Sequence, residues 1–183
     1  MNKTQAKYNI HAQSDLDFKL MSLFFKLRDF FHPPAIKILK SKIKLGDSIL
    51  DYGCGPGSYS FAALKVIGES GRLFAADINP LALKKVEKKA SKRGIENIKM
   101  ILTYCNTDIT DESLDVVICF DVMHNIKEKD IILKEFNRVL KPKSFLSFDD
   151  HHLNEDEILS VITGTGLFKL VEKKDKLFNF EKV

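Results

Sequence analysis

The chain contains no tryptophan and only three cysteines, Cys54, Cys105 and Cys119, none of them in a Cys-x-x-Cys pair. So few thiols, without a pairing motif, point to a reducing compartment. No stretch approaches the roughly 18 consecutive apolar residues that a membrane-crossing helix needs. The first residues, Met1 to Gln5, lead into no apolar signal-like run. These absences predict a soluble, cytoplasmic protein. There is no internal repeat, low-complexity tract or second-domain break. Net charge is also slight, at +4 from 29 basic and 25 acidic residues. The densest basic run, Lys84-Lys85, Lys88-Lys89 and Lys92-Arg93, falls at helical spacing and reads as a solvated helix face. No aromatic-basic module accompanies it, so nucleic acid is not the expected partner.

What remains is an ordinary globular composition. The 183 residues are 44% hydrophobic and 30% charged, enough for one domain with a full core. Fourteen phenylalanines are an unusual share, and several lie near the N-terminus. Ser14 is placed to cap a helix running to about Phe31. Lys19, Ser22, Lys26 and Asp29 form its polar face, and apolar residues such as Phe18, Phe24, Phe25, Phe30 and Phe31 surround the rest. Pro33 and Pro34 end it. Residues 1–32 are therefore expected as a helical lid segment and 33–183 as the main domain.

A short helix is expected from Ala35 to about Ile43. From Ser48 onward, strand and helix patterns alternate. Strands are expected at 48–52, 72–76, 98–102, 115–120 and 144–149, with helices at about 59–67, 80–93, 125–140 and 154–163. Asn79-Pro80, Asn125 with Glu128, and Asn154 with Glu157 supply helix-start signals. The tail reads as two strands, 168–173 and 177–182, around a turn. Such alternation predicts an α/β, Rossmann-like three-layer sandwich. Its sheet should be mostly parallel, with a C-terminal antiparallel hairpin. In that architecture ligands bind where the strands' C-terminal ends meet a topological switch point.

The loop Asp51-Tyr52-Gly53-Cys54-Gly55-Pro56-Gly57 lies between the first strand and its helix. Glycines there permit a tight turn and close approach of a ligand. A dinucleotide would put a pyrophosphate at the helix N-terminus, but Asp51 at the mouth of the loop would repel it. A carboxylate suits a ligand carrying an ammonium group and a positive sulfur. Asp77, at the end of the second strand, is placed to accept from a ribose diol. Two acids at adjacent strand ends describe an aminoacyl nucleoside. The competing readings are a nicotinamide oxidoreductase and a non-catalytic binding module. Asp51, Pro56 and the lack of a second nucleotide-binding half oppose the first. The intact acids and glycines oppose the second.

Four ordered segments carry a family resemblance. Ile49 to Gly57, Phe74 to Pro80 and Ser113 to Cys119 resemble the first motif, the second-strand acidic motif and the fourth-strand motif of class I S-adenosylmethionine-dependent methyltransferases. Phe136-Asn137-Arg138-Val139-Leu140-Lys141-Pro142 resembles the helix-to-strand motif of the ubiquinone/menaquinone-type subgroup. The resemblance implies S-adenosylmethionine as cofactor. Asp51, Tyr52, Gly53, Cys54, Gly55 and Gly57 would hold its methionine part, Asp77 its ribose and Ile78 its adenine, while Phe120 and Asp121 would lie beside the sulfonium. An acid often follows the third strand in this family. Here Thr103 or Tyr104 takes that place, with Asp108 a remoter substitute. The amino-methylating Asn-Pro-Pro-Tyr-type motif is absent, and the cysteines form no three-thiolate arsenic site.

In-line methyl displacement rests mainly on positioning, and a base is needed only if the acceptor must lose a proton. His124, just past the fourth strand, and Asp150, His151 and His152, just past the fifth, are the candidates. His124 could equally be a packing residue, and Asp149 to His152 a capped polar loop. Metal ligation by that loop, helped by Asp121, is a further reading, but no metal is expected, since consecutive residues rarely converge on one ion without additional ligands. The Phe-rich N-terminal segment implies a small-molecule acceptor, apolar or aromatic.

Overall fold

The computed structural model describes residues 27–183. Most of the expected N-terminal helix, including Phe18, Phe24 and Phe25, lies outside the described residues. Residues 27–31 are helical, and Phe30 and Phe31 are exposed. Helix α1 spans Pro34–Lys40, shorter than expected. The Ser41 backbone turns extended there, and its hydroxyl donates to the Ile38 carbonyl. The alternating unit follows as β1 Ser48–Tyr52, α2 Ser58–Ile67, β2 Arg72–Asp77, α3 Pro80–Lys92, β3 Ile98–Leu102 and β4 Leu114–Phe120. A 3-10 turn, Met123–Asn125, precedes α4 Lys129–Val139, β5 Leu140–Asp149, α5 Glu155–Thr163, β6 Phe168–Lys174 and β7 Leu177–Lys182.

The sheet has seven strands in the order β3-β2-β1-β4-β5-β7-β6, parallel except at β7 and β6. The three-layer α/β sandwich with its antiparallel tail is thus as expected. Chain order reverses between β1 and β4, so the loops leaving these neighbours diverge and open a crevice at their C-terminal ends.

Strand periodicity divides the core into two clusters, one on each face. Ile49, Val116, Ile118 and Phe120 pack with Phe61, Leu64 and Ile67 of α2, Leu83 and Val86 of α3, and Ile38 of α1. Leu50, Tyr52, Val117 and Cys119 pack with Leu133 and Phe136 of α4 and Ile158 and Ile162 of α5. β4 is buried on both faces, as its apolar run demands. The same alternation aims Asp51 at the α2 layer and Tyr52 at α4.

Two local expectations need correction. Asn125 does not cap a helix. It lies in the 3-10 turn, and α4 begins after Glu128 without a side-chain cap. β5 begins at Leu140 rather than Ser144 and contains Pro142. Its pairing shifts from Leu114↔Leu140 to Val116↔Phe145, and this bulge places Lys143 at φ 62. Irregular pairing there spares Pro142 a ladder donor it does not have. The other helix-start signals form as read. Asn79 accepts from Leu81 N–H, and Asn154 and Glu157 cap α5 reciprocally.

Asn179 of β7 is fully buried and ties three elements together. Its carbonyl oxygen accepts from Ser147 Oγ at 2.7 Å, and its amide donates to the Lys40 carbonyl at 3.1 Å and to Glu172 at 3.2 Å. Replacing it by Ala strands these buried groups and should cost about 1–3 kcal/mol. The Asn179→Ala variant is therefore expected to lower the urea midpoint with an unchanged m-value. An unaltered midpoint would contradict the assignment.

Candidate active site

Asp51 is 3% exposed and faces α2, whose Ser60 hydroxyl donates to it. Among the described residues Ser60 alone bonds this carboxylate. Burial lifts its pKa from 3.8 to about 7; Ser60 opposes the shift and the nearby Asp77 adds to it. The site thus holds a buried carboxyl with spare acceptor capacity, the chemistry an ammonium ligand would satisfy.

Backbone groups and the Asp77 carboxylate fold the loop after β1. Gly53 and Cys54 N–H both donate to the Ala76 carbonyl, at 2.8 and 3.0 Å. Gly53 has φ 76, and a Cβ there would lie 2.3 Å from Val122 Cγ2. Gly57 has φ 85, and a Cβ there would press on Phe61 and Val86 at 3.0 Å. Gly55 N–H donates to Asp77 Oδ2 at 2.8 Å, and Asn79 N–H donates to Asp77 Oδ1 at 2.8 Å. Burial raises the Asp77 pKa, while the N–H groups of Asn79, Gly55 and Ile78 oppose that shift. Asp77 therefore joins the two loops and lies half-buried at the crevice beside Ile78.

Some expected contacts fall elsewhere. The Tyr52 ring lies edge-on to Phe136 at 5.0 Å, with its hydroxyl donated to the Tyr104 carbonyl, so only its backbone borders the crevice. Cys54 is buried, and its thiol is pushed well up by burial, as a packing residue's would be. Thr103 donates to the Asn106 carbonyl, and Asp108 is exposed beside Asn106. Tyr104 donates to Glu128 at 2.8 Å, so an acid from a distant loop reaches the β3 end.

The ends of β4 and β5 carry the second half. Phe120 is buried edge-on to Tyr59 at 4.9 Å. Asp121 adopts φ 57, and its N–H donates to the Asp149 carbonyl at 2.8 Å. Asp150 is fully buried and accepts from the backbone N–H groups of His124 and His152 and from His124 Nδ1, at 2.9–3.1 Å. With Nδ1–H donated, His124 Nε2 is the acceptor that meets the Asn125 amide at 2.7 Å. His151 donates through Nδ1 to Asp121 at 2.6 Å. The His152 ring lies 4.0 Å from that of His124 and 3.9 Å from that of His151. All four expected catalytic residues and Asp121 therefore converge.

Sequence reading missed Lys37. It pairs with Asp149 at 2.6 Å and lies 4.0 Å from Asp121, with its ammonium over the Tyr59 and Phe120 rings. Burial opposes its charge, but Tyr59, Asp149 and Asp121 hold its pKa above the ordinary value. Arg28 and Asp29 also reach the site: Arg28 bonds Asp29, which accepts from Ser58 at the start of α2. A lone lysine on a short helix carries no periodic signal by which it could have been found.

A family profile described as a methyltransferase domain matches residues 43–179. The chain belongs to the methyltransferase family. Its fold is the class I fold, and the cofactor of that family and fold is S-adenosylmethionine. The nicotinamide reading is thereby set aside. The chain is similar to demethylmenaquinone methyltransferase of Lactobacillus johnsonii, 36% identical over 108 residues, which are 56% of this chain and 43% of the relative. It is also similar to the ubiquinone/menaquinone biosynthesis C-methyltransferase UbiE of Cellvibrio japonicus, 28% identical over 75% of this chain and 56% of the relative. The chain thus spans about half the length of these curated relatives. A SAM-dependent methyltransferase from Aquifex aeolicus shares the fold at TM-score 0.70 and 21% identity, covering 82% of this chain and 88% of that one. No described helix is long and apolar enough to cross a membrane.

The Asp51 proton has a measurable consequence. Its pKa is about 7 folded against an ordinary 3.8, so the folded state binds this proton more tightly. The stability it contributes is complete below about pH 4 and is lost as pH rises through about 7. Asp51→Asn removes that slope and should be more stable than wild type above pH 7, by on the order of a few kcal/mol. Thermal or urea unfolding of ligand-free protein between pH 5 and 8.5 checks this. Parallel profiles for the two proteins would contradict it.

Proposed function

We propose that the chain moves a methyl group from S-adenosylmethionine to a small-molecule acceptor, apolar or aromatic. The observation that carries the reading is Asp51, a buried carboxylate at the β1 end with one bonding partner among the described residues. When bound, S-adenosylmethionine supplies a sulfonium-activated methyl group. Asp51 and the Gly53–Gly57 backbone hold its aminoacyl end, Asp77 accepts from its ribose hydroxyls, and Ile78 packs against its adenine. An acid at each of two adjacent strand ends fits one cation and one diol, and neither fits a pyrophosphate.

The acceptor side is the β4–β5 edge. The relatives are named for quinone biosynthesis, which supports an aromatic acceptor of quinone type. The Phe-rich segment 1–32 acts as its lid; Arg28 and Asp29, the described part nearest the crevice, meet α2 at Ser58 and Tyr59. His124 is the group that receives a proton where the acceptor must lose one. Asp150 fixes its Nδ1–H tautomer, which leaves Nε2 as the accepting atom.

Two measurements bear on this. Calorimetry with S-adenosylmethionine should show at least about tenfold weaker binding for Asp51→Ala and for Asp77→Ala, the loss of one charge-assisted bond. Unchanged affinity in both sinks the cofactor site. A screen of aromatic acceptors for S-adenosylhomocysteine production identifies a substrate. With it, His124→Asn should lose about 100-fold or more in kcat with cofactor affinity kept. Wild-type turnover in that variant removes His124 from the chemistry.

A further inference from the structure

Asp150 raises a question that methyl transfer leaves open. Its carboxylate is fully buried, yet no Lys or Arg among the described residues reaches it; its partners are the His124 ring and two backbone N–H groups. Asp121 and Asp149 stand at the same strand ends and share one cation, Lys37. Three carboxylates against one ammonium leave this edge with excess negative charge, and buried charge is ordinarily met by a counter-charge or a metal ion.

The histidines supply the rest. A metal site built from residues 150–152 alone would lack converging ligands. The parallel pairing of β4 with β5 brings a second loop, carrying Asp121 and His124, to the same place. One ligand atom from each of Asp121, Asp150 and His151 lies within 4.8 Å of the others. Ligands bound about 2.1 Å from a shared ion stand about 3–4 Å apart, so an ion would draw these atoms together from their present separations. Asp150 forms the buried floor, His151 is exposed, and the His124 ring holds the Asp150 carboxylate, as orienting partners of metal ligands do.

We propose that Asp121, Asp150 and His151 form a divalent transition-metal site at the β4–β5 edge, open on its outer side. One imidazole with two carboxylates suits a borderline ion such as Zn2+ better than Mg2+, which favours oxygen-only octahedra. The open positions would face the acceptor side, where a bound ion could coordinate an acceptor oxygen. Metal binding itself is independent of the methyl-transfer reading, and the test is run without S-adenosylmethionine.

The purified, untagged full chain is titrated with Zn2+ against a chromophoric chelator, then with Mg2+ under the same conditions. The expected result is one Zn2+ per chain, bound at least about tenfold more tightly than Mg2+. His151→Ala and Asp121→Asn should each weaken Zn2+ binding about tenfold or more, with thermal melts confirming the fold. His32→Ala and Cys105→Ser, which remove other accessible donors, should bind as wild type. Anomalous diffraction at the zinc edge should place the ion on these three side chains. Absence of 1:1 binding, equal affinity for Mg2+, or wild-type affinity in both His151→Ala and Asp121→Asn overturns the site. So does loss of binding confined to the His32 and Cys105 variants.

Discussion

A carboxylate removed from water must be met by a proton, a donor or a cation, and the C-terminal edge of this sheet carries five of them. Asp51, Asp149 and Asp150 are buried; Asp77 and Asp121 are half-buried. Each finds a different answer. Ser60, and a proton below about pH 7, meet Asp51; backbone N–H groups hold Asp77, Lys37 meets Asp149, and His124 and His151 meet Asp150 and Asp121. The opposite face of each strand end is plain apolar packing, so the rest of the fold serves to hold these charges where solvent cannot neutralise them.

The two halves of the edge differ in how their charge is satisfied. On the β1–β2 side the acids are held by main-chain geometry and one serine, which leaves acceptor capacity toward the crevice. On the β4–β5 side they are tied to side chains that can rotate: an ammonium and two imidazoles. Gly53 joins the two halves physically, since its missing Cβ is what lets Val122, next to Asp121, pack against the cofactor loop.

Much of this was legible beforehand. Strand-helix alternation, the double-faced apolar run of β4, the Asn79 cap before Pro80 and the capping box at Asn154 are local signals, and each forms as read. The misreadings have local causes too. Asn125 and Glu128 have capping-box spacing, but the Asn125 amide is drawn to His124 instead. The start of β5 reads as Ser144 because sequence does not reveal the bulge that exempts Pro142 from the ladder. Tyr52 was counted with the loop, yet strand parity turns its ring toward Phe136.

The sequence by itself determined the order of elements, the glycine loop with its two acids, and hence the family and the kind of ligand. These depend on residues close together in the chain, where periodicity and turn chemistry act directly. Only the tertiary structure decided which distant residues share an edge: Lys37 with Asp149, and Asp121 and His124 with Asp150 and His151. Strand order 1-4-5 sets those neighbours, and pairing across a sheet is indifferent to separation along the chain. Burial then decided the charge states, because the proton affinity of Asp51 depends on the water excluded around it, which no run of letters records.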